Sequence, residues 1–350
     1  MPFMRSLALV TVVSGLSMGV GSGTSQAQPG GDAQVCTVGS AAVGQAGTLL
    51  CKDLQSGATT QAIPLGPTMA AAGGIAASLA SRDDRVLVTN QASGAMLFRL
   101  VGGRLWAPAA LQTDGEGSLS GALDERGAYV LTATSLRFFP RGQTTAASTR
   151  RLLLGDGSAA AVTLTDHFAY VSEKNGSLEA FALGYDGRLG PGVPVSGISP
   201  GVIVGITGLD EVVVAPIAHL ASNTNQSEIA VAAGFTQLQR VATKEVAACW
   251  ASNDDGEVCV ANPGSMTVSC GHAGRAGLLS YTGAAASLPG ESVFDLDMWQ
   301  GLVTLQGVHD GNPVLLTFRR TEGDFLSPLG ETPVGMTLAA GALLLPALSR

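Results

Sequence analysis

The chain has 350 residues, of which 13% are charged, 5% are aromatic and 47 are glycine, and its formal net charge is −8. No basic stripe runs along it, which argues against nucleic acid and anionic membrane surfaces as partners. A chain of this length can bury one large core or build one large repeat architecture.

The first 27 residues read as a secretory signal peptide. Met1 to Arg5 is a short leader with one cation, and Ser6 to about Gly21 is apolar and small. Ser25 and Ala27 offer a small-residue cleavage site before Gln28. The apolar stretch is too short and too rich in glycine and serine to span a membrane. These features predict a secreted or periplasmic protein. Residues 28–350 then fold as a single domain where cysteine pairs oxidise.

Past the leader, the sequence repeats. "AQVCTVG" comes first, followed by "RDDRVLVTN", "DERGAYVLT", "TDHFAYVSE", "LDEVVVAPI", "DDGEVCVAN" and "WQGLVTLQG". Most read as an acidic turn followed by an alternating strand. Their central residues are Cys36, Leu87, Tyr129, Tyr170, Val214, Cys259 and Val303, spaced by 51, 42, 41, 44, 45 and 44. Asp83, Glu125, Asp166, Asp210 and Asp255 each stand four residues before their anchor. A second alternating run usually follows, such as "GAMLFRL", "TSLRFFP" or "MTVSCGH".

Four strands in 40 to 50 residues is the unit of a propeller blade. Seven anchors therefore predict an all-β, seven-bladed propeller of four-stranded antiparallel blades. Helical periodicity is almost absent beyond the leader. The first copy begins at its second strand, while "TPVGMTLAAGALLLP" at the other end reads as a first strand with no partners after it. The C-terminal strand is thus predicted to complete the N-terminal blade and close the ring, leaving no exposed edge there.

The repeats resemble the bacterial lactonase-like seven-bladed propellers, whose blades carry a Tyr-Val-Thr-Asn phrase. The resemblance rests on "VLVTNQASGAMLFRL", "YVSEKNGSLEAFALGYDGRLGP" and "AACWASNDDGEVCVANPGSMTVS". It is strongest from Ala160 to Ser269. Cys259 stands where that family usually has tyrosine. The group includes propeller-type 6-phosphogluconolactonases and carboxymuconate cyclases, so the resemblance implies a lactone as substrate.

The cysteines follow the repeat. Cys36 and Cys259 occupy the second strand of their blades, and Cys51 and Cys270 end the third. Facing positions of a hairpin recur, which predicts disulfides Cys36–Cys51 and Cys259–Cys270. Cys249, in the Cys-Trp phrase, is left as a buried free thiol. The closest-spaced cysteines, Cys249 and Cys259, are not at a metal-binding interval, and no second cluster accompanies them. Neither a metal nor another cofactor is expected.

Blade topology sorts the polar residues by end. Loops joining strands two and three, and those joining blades, share one end. Glu173, Lys174, His219 and His309 fall in the first kind of loop and Glu245 in the second, while His167 and His272 belong to the far end. A lactone hydrolase needs a base for water and a donor for the carbonyl oxygen. His219 or His309 would serve as base and Lys174 as oxyanion donor. Glu173 and Lys174 lie in the stretch that carries the resemblance. The expected function is hydrolysis of a sugar or aromatic-acid lactone by a monomer. Few cations cluster at this end, which argues against a phosphorylated sugar. The alternative is a non-catalytic propeller that binds a protein or glycan through its loop-rich face, with the loop Ala215–Glu228 as recognition element.

Overall fold

The computed structural model describes residues 33–347, apart from 43, 68–69, 72–73, 76, 93, 220–226, 275–278 and 322–324. Every regular element among these described residues is a β-strand. The proposed leader lies outside the described residues. Seven four-stranded antiparallel sheets follow one another as blades, with one short additional pair between the first and second. Each of the seven anchors sits on the second strand of its blade, and all are 0% exposed.

The ring closes as its ends suggest. Blade one takes Ala33–Ser40, Ala46–Asp53 and Thr59–Pro67 from the start of the ring. Its innermost strand is Leu338–Pro346, which pairs antiparallel with Ala33–Ser40. Leu343 and Leu345 pack towards blade two, while Ala342 and Leu344 pack towards blade seven.

The recurring acidic residues are turn formers. Asp83, Asp210 and Asp255 take positive φ in the tight turn between the first two strands of their blades. Asp255 and Gly256, at φ 49° and 81°, form a pair in the left-handed region. Short polar side chains and glycine tolerate that conformation best. The outermost strands of blades one, two, four and seven carry prolines, at Pro64, Pro108, Pro191 and Pro328 among others. Proline lacks an N–H, so these edges resist pairing with another strand.

Both disulfides form, Cys36–Cys51 and Cys259–Cys270, with Cα atoms 4.0 and 4.1 Å apart. Each pair directly faces across strands two and three, where other blades set Tyr129 against Phe138, Val214 against Val231 or Val303 against Phe318. The bridges thus replace an apolar cross-strand pair inside the blade. Cys249 is buried and free, and burial pushes its thiol up to about 12. Changing either cysteine pair to alanine should cost about 2–3 kcal/mol in a urea melt. Iodoacetamide should leave Cys249 of the folded protein unmodified, since a neutral enclosed thiol is inert. Rapid stoichiometric labelling would contradict the packing around Cys249.

Candidate functional site

The innermost strands surround a central cavity of about 1480 Å³. Small residues make up much of its wall, with charged residues such as Asp124, Arg126 and Asp210 gathered at the end formed by the tight turns. Side chains of these strands alternate towards the two neighbouring blades, as the period of two requires. On Trp250–Asp254, Ala251 packs against blade five and Asn253 donates to Gly208 O at 2.9 Å, whereas Trp250 packs towards blade seven. Such side chains also stitch blade to blade: Ser120 Oγ accepts the Val162 N–H at 3.2 Å.

Two features stand out away from those turns. The first is a register slip near the start of the innermost strand in blades three, four and seven. It leaves Leu119, Ala160 and Phe294 outside the ladder, and all three line the cavity. A bulge redirects a side chain in this way. Trp250, half-buried, lines the same end, because it too begins its innermost strand.

The second feature is a pair of carboxyl groups, Asp295 and Asp297, on Ser292–Trp299 of blade seven. Both are half-buried in the cavity wall. Asp295 Oδ2 accepts the Ala342 N–H at 3.0 Å, and Asp297 Oδ2 accepts the Leu344 N–H at 2.7 Å. Ser252 Oγ donates to Asp297 Oδ1 at 3.4 Å. The pair therefore latches the closing strand of blade one to blade seven. Burial pushes Asp295 up to about 6 and Asp297 up to about 7. The backbone N–H bonds pull both the other way, and the neighbouring Asp295 charge adds to the rise at Asp297. Carboxyl groups held near neutrality in a cavity are candidates for acid–base work.

The five residues singled out from the sequence occupy loops or strand ends at the bulged end of the ring, but only Lys174 lines the cavity. Glu173 is 1% exposed beneath the connection from blade three, where Oε2 accepts Ser158 Oγ at 3.2 Å and Asn175 Nδ2 at 3.4 Å. Burial raises its pKa. His219 Nε2 lies 3.7 Å from Glu228 Oε2, which also accepts Ser199 Oγ at 3.0 Å. Glu245 Oε2 accepts Thr267 Oγ1 at 3.1 Å. His309 Nδ1 meets Glu331 Oε2 at 2.6 Å, and that bond raises its pKa. Each of these four is thus engaged within its own blade or blade junction.

Sequence reasoning missed the Asp295–Asp297 pair. A signal was available in "VFDLDMW", where acidic residues alternate through a first strand. The corresponding strands of blades three and four, "SLSGAL" and "AAAVTL", carry none.

No family model and no curated relative matches the chain. Solved structures do. The periplasmic gluconolactonase PpgL of Pseudomonas aeruginosa is 13% identical, with TM-score 0.61, over 91% of this chain and 100% of that one. A provisionally assigned 6-phosphogluconolactonase from Bacteroides fragilis is 12% identical, with TM-score 0.60, over 91% and 99%. The RRP9 WD40 repeats are 9% identical, with TM-score 0.55, over 79% and 90%. The fold is the seven-bladed β-propeller. At such identities the likeness is one of architecture, which many activities share.

Proposed function

We propose that the protein hydrolyses a lactone in its central cavity, with Asp295 as general base and Asp297 as its partner. One observation carries this reading: two carboxyl groups with pKa values near neutrality stand together in the wall of a large cavity. A base works best when its pKa lies near the working pH. Ionised Asp295, the more acidic of the two, takes a proton from water as the water oxygen bonds to the lactone carbonyl carbon. Neutral Asp297 donates a hydrogen bond to the oxygen that gains charge. The ring C–O bond then breaks, the departing oxygen takes the proton from Asp295, and a hydroxy acid leaves. The solved lactonase structures of the same fold support the choice of lactones among carbonyl substrates.

Export and cleavage after Ala27 belong to this proposal, with residues 28–350 as one domain. The two disulfides support an extracytoplasmic location.

The test is turnover on a panel of uncharged sugar and aromatic-acid lactones. Asp295→Asn keeps an oxygen that accepts the Ala342 N–H but cannot take a proton. It should lower kcat by about 10²-fold or more while the protein still melts cooperatively. Turnover of the folded variant equal to that of the parent would overturn the assignment. No turnover of any lactone by the parent would favour a binding propeller.

A further inference from the structure

We propose that Trp250 is the platform on which an uncharged sugar ring stacks in the cavity, and that it selects such lactones over phosphorylated ones. This rests on the lactone reading above. Trp250 packs on one side against the core between blades six and seven. Elsewhere it abuts Gly205, whose N–H donates to Cys249 O at 2.7 Å. A β-carbon on Gly205 would stand 2.7 Å from Trp250 Cδ1 and 3.0 Å from its Cα. Only glycine lets the two backbones close so tightly, and this fixes where the indole sits. The rest of the half-buried ring lines the cavity.

Its place relative to the carboxyl pair follows from the strand. Trp250 and Ser252 are two residues apart and so share a face, and Ser252 Oγ reaches Asp297. The indole therefore lies about 7 Å along the wall from that contact, the reach of one six-membered ring with its substituents. Phe294, turned out by its bulge, adds a second aromatic surface at this end. Aromatic faces take the apolar C–H face of a sugar, while carboxyl oxygens accept its hydroxyls.

Charge decides the class. The cations lining the cavity are Lys174 at this end, and Arg82 and Arg126 at the other, where Asp124, Glu125, Asp166, Asp210, Asp255 and His167 also line it. Arg126 is held by Asp124 at 2.5 Å. A phosphate stacked over Trp250 would face two carboxyl groups with a single exposed lysine as counter-charge.

The protein contains Trp106, Trp250 and Trp299, so a Trp106→Phe/Trp299→Phe variant reports Trp250 fluorescence alone. Titration with glucono-1,5-lactam, an uncharged lactone mimic that is not turned over, should give a saturable change. Its 6-phosphate should bind at least tenfold more weakly. With the lactone itself, Trp250→Ala should raise KM about tenfold with kcat nearly intact, and Trp250→Phe should recover most of the loss. Equal or tighter binding of the phosphate, absent lactam binding, or a KM indifferent to both variants would each overturn the proposal. Saturable lactam binding without lactone turnover would overturn the hydrolytic reading alone and leave the platform standing.

Discussion

A chain lacking residues 338–350 is expected to show no cooperative thermal transition. The deletion removes the innermost strand of blade one and bares the inner edge of Ala33–Ser40, a strand buried along its whole length. Three buried leucines go with it, Leu343, Leu344 and Leu345, at about 1.5–3 kcal/mol each. Their loss alone approaches the 5–15 kcal/mol that holds a typical domain together, so about all of the stability is at stake. Asp295 and Asp297 also lose the N–H groups they hold, leaving half-buried carboxyl groups short of partners. Circular dichroism melts and size exclusion of the purified truncation would test this. A truncated chain that melts within a few degrees of the intact one would mean the ring does not depend on its closing strand.

Between about pH 4 and pH 7 the folded protein is expected to lose stability as the pH rises. An unfolded aspartate titrates near 3.9, whereas Asp295 and Asp297 are raised to about 6 and about 7. In that window the native state holds more protons than the unfolded one, so the slope of stability with pH is negative. Above about pH 7 both states have released them, and the curve flattens. Together the two groups should account for a change on the order of a few kcal/mol. Glu179, raised to about 7 mainly by burial, contributes in the same direction from within blade four. Urea melts at several pH values should show a shallower slope for the Asp295→Asn/Asp297→Asn protein, and shallower again with Glu179→Gln. A parent protein equally stable at pH 4.5 and 7.5 would contradict the environments described for these groups.

The architecture could be read because it is written in local terms that recur. A turn needing positive φ selects Asp or Gly, the strand after it alternates, and the interval returns every forty-odd residues. The disulfides were legible for the same reason: cysteines at one register position of two hairpins must face each other. The candidate site was less legible, because its properties arise between blades. Asp297 is an ordinary alternating strand residue until Leu344, 47 positions later, lays its N–H across it. Glu173 reads as a loop carboxylate, yet the connection carrying Ser158 folds over it and seals it. His219 and His309 sit at the expected end of the ring, but Glu228 and Glu331 engage them. In the sequence Trp250 stands out only through its cysteine neighbour, whereas its place in the cavity depends on Gly205 from the preceding blade junction.

The order in which the closing strand is made has a consequence for biogenesis. Blade one begins with its second strand and waits for its first until the other six blades have been synthesised. No nascent chain can be a closed ring. Every partial product keeps the edge of Ala33–Ser40 open at one end of a growing arc. A chain threading outward through a narrow pore would therefore stay extensible until this strand emerged, and would lock within one step once it did. The same order leaves that edge open to the corresponding strand of a second chain, so crowded or stalled synthesis should yield strand-exchanged dimers in place of rings.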